Sequence, residues 1–168
     1  MLFRSYRVVL ESAEIDINMI VEHFGNDKLQ PITPVKNASY WVKPEKGGLW
    51  TSPVNSCFSW KDWCIIESFN LSNLEKSFKL DITVDNLLVI DSYKDLEEKM
   101  INTHLIRTVL TGVSEVDFEA MSLCYDGMWL TMNGQKETRF AHPFHLYGWD
   151  VETVLLFNEK PIVGVVER

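Results

Sequence analysis

These 168 residues contain no CxxC pair, no glycine-rich phosphate loop and no apolar run near the ~20 residues that span a bilayer. Each absence removes a class of protein. Cys57, Cys64 and Cys124 are odd in number and scattered, so neither a disulfide framework nor a zinc knuckle is indicated, and buried free thiols are expected. Without a Walker or GxGxxG motif, the ATP-binding and Rossmann modes of holding a nucleotide drop out. The opening MLFRSYR is too short and too polar for a secretory signal, which implies a cytoplasmic location and no membrane partner. No repeat, low-complexity tract or linker interrupts the chain, so one domain over residues 1–168 is expected. Positive charge is scarce as well. Sixteen Lys and Arg against 24 Asp and Glu leave a net charge of -8, which argues against wrapping a nucleic-acid duplex through counterion release. A pocket for a single nucleotide remains compatible with that charge.

What is present is the composition of a folded chain, 46% hydrophobic and 24% charged. Trp41, Trp50, Trp60, Trp63, Trp129 and Trp149 are many for this length; most are expected in the core, and some suit a cleft that stacks a flat ring. Residues 5–10 (SYRVVL) read as a first strand. Ser12 then reads as the cap of a short helix carrying Ile15, Met19, Ile20 and Phe24 and ending at Gly25-Asn26. Strands are expected over 38–43 and 48–52, and a helix from Ser59 with Asp62 as its capping box. Further strands are expected over 78–83 and 87–90. A helix follows Ser92 with Leu96, Met100 and Leu105 on its apolar side, another spans 117–124, and strands cover 128–132, 152–158 and 162–166. Short strands mixed with short helices, without βαβ regularity, indicate an α+β fold.

Three segments carry candidate chemistry. Near the end, Tyr125-Asp126-Gly127-Met128 closes a helix and opens a strand, and WDVETVLLFNEKPI follows over 149–162. In the middle, KPEKGGLWTSP over 43–53 leads into SWKDWC over 59–64. At the start stands Arg4 in LFRSYRV, with Arg7 as a competing choice. In this order the segments resemble the ADP-ribosyltransferase superfamily, whose members open with a strand bearing Arg or His. They continue through a glycine-rich turn into a strand ending in aromatic and small hydroxyl residues, and close with a Glu that begins a hydrophobic strand. Residues 70–116 contribute nothing to the likeness.

The resemblance implies a split β-sheet core with short flanking helices, and NAD as substrate. It implies Glu152 as the catalytic carboxylate on the ribose 2′-hydroxyl. Asp150, two residues earlier on an extended segment, would share its side of the cleft and orient or deprotonate an acceptor. Trp50, Thr51 and Ser52 would face the nicotinamide. Gly48, lacking a Cβ, would let backbone approach the ligand, and Tyr40, Trp50 or Trp60 would stack the ring. Arg4 would pair with the diphosphate. The chemistry wants a carboxylate because breaking the nicotinamide–ribose bond develops oxocarbenium charge. The implied activity is mono-ADP-ribosyl transfer to a protein or nucleic-acid acceptor, in the manner of a small toxin with a neutralising protein partner. A catalytically silent binding domain of the same fold and an NAD glycohydrolase are open alternatives.

The bland readings stand beside these. Glu152 is also an ordinary strand charge, Asp150 a turn residue, Thr51-Ser52-Pro53 a strand end, and Trp60 with Trp63 a core pair three apart on a helix. His142 and His145 in HPFH lack the further ligands a metal would need, and His23 and His104 fall on expected helices without special role.

Overall fold

The computed structural model describes residues 18–109 and 112–167. Arg4, Arg7 and the strand expected over 5–10 lie outside those residues. Eleven strands and four helices follow in order: β1 (Asn18–Phe24), β2 (Lys36–Asn37), β3 (Pro44–Lys46), β4 (Leu49–Pro53), α1 (Trp60–Glu67), β5 (Ser77–Thr83), β6 (Leu87–Ile90), α2 (Tyr93–Thr103), β7 (Ile106–Thr108), β8 (Ser114–Val116), α3 (Phe118–Cys124), β9 (Gly127–Leu130), α4 (Met132–Thr138), β10 (Thr153–Leu156) and β11 (Ile162–Val166). A 3-10 turn at Leu71–Glu75 links α1 to β5. The fold is α+β. Its main sheet has seven strands in the order β11-β5-β1-β4-β10-β9-β6, antiparallel except for the β6–β9 pair. Two small ribbons, β2-β3 and β7-β8, stand apart from it.

β4 belongs to both halves of this sheet. Its residues Leu49, Trp50 and Thr51 pair with Leu156, Leu155 and Val154 of β10, while Ser52 and Pro53 pair with Glu22 and Val21 of β1. The period-two alternation of strand side chains then sorts the core. Leu88, Ile90, Met128, Leu130 and Leu155 join Trp149, Phe118, Leu96 and Met100 in a cluster on the helix side. Their strand neighbours Leu87, Val154 and Leu156 meet Val21, Phe78, Leu80 and Ile82 from the other half-sheet in a second cluster. The two halves therefore close over that second cluster.

Helix starts follow local chemistry. Ser59 and Asp62 form the expected reciprocal capping box of α1, Ser92 caps α2 by accepting from the Asp95 amide, and Asp117 caps α3 by accepting from the Ala120 amide. Two expectations are corrected. The segment read as a helix through Met19, Ile20 and Phe24 is β1: Met19 and Val21 alternate inward, and pairing with β5 over all seven residues outweighs local propensity. Residues 38–43 are not a strand, the chain pairing instead at β2 and β3 on either side. α4 was not expected, and it starts at Thr131, whose hydroxyl accepts from the Gly134 amide. Of the thiols, Cys64 is buried while Cys57 and Cys124 are exposed. Among the described residues no helix is long and apolar enough to cross a membrane.

Candidate functional site

Where β4 passes from one half-sheet to the other, strands on both sides lose a backbone partner. Side chains take over. His23 of β1 sets its Nδ1 2.8 Å from the Trp50 carbonyl, and Thr51 Oγ1 donates to the Val154 carbonyl at 2.7 Å. These bonds give the Trp50 and Val154 carbonyls side-chain partners at the junction. The split opens into a cleft of about 410 Å³, within the range of roughly 300–1,000 Å³ usual for small-molecule sites.

Aromatic rings form much of its wall. Trp60 and Trp63 of α1 stack with centroids 5.0 Å apart, and Phe69 meets both edge-on at 6.0 and 5.5 Å. Trp50 packs against Trp149 at 4.9 Å. Trp149 is pinned in turn, its indole N–H donating to the Val42 carbonyl at 2.6 Å and its ring stacked on Phe118. The polar lining comes from Glu22, His23, Lys43, Thr51, Ser52, Asp150 and Thr153. Ser52 Oγ accepts from the Trp60 amide at 3.1 Å, which docks the start of α1 onto β4. Glu22 accepts from the Ser77 hydroxyl at 2.8 Å. Asp150 is held by Arg139, Nη2 to Oδ1 at 2.9 Å.

Five of the residues singled out in the sequence meet here: Trp50, Thr51, Ser52, Trp60 and Asp150. Glu152 does not line the cleft. Its carboxylate accepts from the Trp129 indole N–H at 3.0 Å, and Trp129 packs on the cluster between the half-sheets. Asp150 and Glu152 thus fail to share one direction because β10 begins only at Thr153, and the segment before it is not extended strand. Gly48 serves packing: a Cβ there would meet Leu155 Cδ1 at 2.8 Å and the Leu156 carbonyl at 3.1 Å, so the close approach it permits is to β10. Tyr40 is 86% exposed and lies off the cleft. Trp60 and Trp63 are cleft residues and not a core pair.

Sequence reasoning missed Glu22 and His23, because their strand was read as a helix, and it missed Lys43, Trp63 and Phe69 as lining. The alternation of Met19, Val21 and His23 in NMIVEHF was the available signal for the first two. Among the described residues no group of His, Cys, Asp and Glu is arranged to hold a metal. No protein-family model matches the chain, and neither the curated proteins nor the solved structures provide a match.

Proposed function

We propose that the cleft binds NAD and breaks its nicotinamide–ribose bond, the ADP-ribose passing to a macromolecular acceptor. The observation that carries this reading is the cleft at the split of β4, walled by stacked tryptophans and holding an Asp150 carboxylate. Nicotinamide is flat and, in NAD, cationic, so it gains from aromatic faces. The carboxylate of Asp150 faces the charge that develops at the ribose carbon as the C–N bond breaks and its electron pair leaves with neutral nicotinamide. The acceptor nucleophile then bonds to that carbon and gives up its proton. Lys43 on the wall is the cation placed for the diphosphate.

The resemblance drawn from the sequence supports the same reading, with two reassignments. Its first strand, bearing Arg or His, corresponds in this proposal to β1 with His23, and the split at β4 to the sheet of that superfamily. It assigns the catalytic role to Glu152, whereas cleft geometry favours Asp150.

A second reading, a domain that binds nucleotide without turnover, is favoured by one observation: both carboxylates already have partners, Arg139 and Trp129. Nicotinamide release from NAD, measured for wild type, Asp150→Asn and Glu152→Gln, decides. Release that vanishes in Asp150→Asn and persists in Glu152→Gln is the expected result. The opposite pattern returns the role to Glu152. Binding without release by wild type, even with candidate acceptors added, supports the silent domain.

A further inference from the structure

Residues 146–150 carry Trp149 and Asp150 to the cleft, and they hang from one face of α4 and the residue that follows it. Positions 135, 138 and 139 fall at the i, i+3, i+4 spacing that places them on one side. Gln135 Nε2 donates to the Trp149 carbonyl at 3.0 Å, the Leu146 amide donates to the Thr138 carbonyl at 3.0 Å, and Arg139 Nη2 forms an ion pair with Asp150 Oδ1 at 2.9 Å. The first two bonds fix where the loop backbone runs. Only the third reaches the carboxylate.

The guanidinium of Arg139 has a second constraint, the Phe140 ring 5.4 Å beneath its central carbon. Its Nε is buried and has no hydrogen-bond partner among the described residues. The group is therefore oriented by Asp150 and Phe140, at the expense of one of its own donors.

From this we infer that Arg139 is a positioning residue, holding one oxygen of Asp150 so that the other is presented to the reacting centre of the cleft. The inference rests on the NAD reading and adds the residue that sets the carboxylate's geometry. A carboxylate on a loop swings about its side-chain torsions, and an ion pair at one oxygen restrains that freedom. Misplacement of a catalytic group by about 1 Å is enough to cost about a hundredfold in rate. Binding of NAD, which depends on the aromatic walls, does not pass through Arg139.

The test uses the purified full chain as wild type, Arg139→Gln and Arg139→Lys. Nicotinamide release reports kcat, and quenching of the cleft tryptophans by NAD reports binding. The expected result for Arg139→Gln is a fall in kcat of about thirtyfold, within the reach of such misplacement, with NAD affinity unchanged within a factor of about three. Arg139→Lys, which retains one donor and the charge, recovers most of the loss. A wild-type kcat in Arg139→Gln overturns the inference. So does weakened NAD binding with kcat intact, which would make Arg139 a binding residue, and so does a lysine variant no better than glutamine. Wild type that neither binds nor cleaves NAD overturns the underlying reading, a result visible before any Arg139 variant is assayed.

Discussion

His23 Nδ1 stands 2.8 Å from the carbonyl oxygen of Trp50. A carbonyl only accepts, so the imidazole donates there, and in the neutral ring Nε2 is left with its lone pair. The ring also packs at 5.2 Å against Phe78. His23→Phe keeps that aromatic contact and removes the donor. The expected cost is about 1–3 kcal/mol, the penalty of a partly buried carbonyl left unpaired. Urea denaturation of the two proteins measures it, and an unchanged midpoint would mean that water or a shifted backbone replaces the ring.

Trp63 stacks on Trp60 with the rings 12° from parallel, and both line the cleft. Trp63→Ala should weaken NAD binding about tenfold, the equivalent of roughly 1.4 kcal/mol, while the chain stays folded. Trp41→Ala is the control, since Trp41 is exposed and off the cleft. Calorimetric titration compares them. Equal behaviour of the two variants would argue against the aromatic wall as the ring-binding surface.

Gly134 lies in α4 where a Cβ would come within 2.0 Å of the Ile90 carbonyl oxygen. That neighbour is backbone of β6 and cannot swing aside. Gly134→Ala should therefore destabilise by about 3 kcal/mol or more, beyond ordinary overpacking. Gly164 of β11 has open space around its Cβ position, so Gly164→Ala should be tolerated. Thermal melts of the pair distinguish a packing requirement from a general preference for glycine.

Asp126 joins the starts of β6 and β9 to the end of β10. Burial pushes its carboxyl up. Hydrogen bonds from the Asn158 and Asn86 amides, at 2.9 and 3.0 Å, outweigh burial with help from Lys160, and the group titrates below its ordinary value of 3.8. A folded-state value depressed below the unfolded one contributes stability above roughly pH 4, and that contribution is lost as pH falls through the folded value. Asp126→Asn should lower the urea midpoint at pH 7, and the gap to wild type should narrow by pH 3. Glu119, lowered by the Asn37 amide and by Lys36, acts in the same sense.

Locally encoded features were legible in the sequence. The Ser59–Asp62 box, the Ser92 cap and the apolar strands β6 and β11 need only neighbours in the chain to declare themselves. β1 was misread, because Ser12 followed by Ile15, Met19 and Ile20 has helical spacing that competes with the alternation of Met19, Val21 and His23. What decides it is pairing such as Val21 with Leu80, far along the chain. α4 was hidden for the opposite reason: MNGQKET is polar with a glycine inside, and its helix is held by packing on β6 that no local window displays. The same division governs the site. Trp50, Thr51, Ser52 and Trp60 lie in one stretch and line one cleft, where Asp150 joins them. Glu22 and His23 come from the misread strand, and the direction of Glu152 depends on where β10 begins.

β4 is five residues long and carries pairing to both half-sheets. It works as a joint with no slack. Spreading the cleft walls would break the Val21–Pro53 or the Val154–Thr51 pairing, so the jaw does not open along the sheet. Pro44 and Gly148, the latter at a φ of +87°, line the same cleft away from that joint. Substitutions there should reshape the cleft while the joint keeps its pairing.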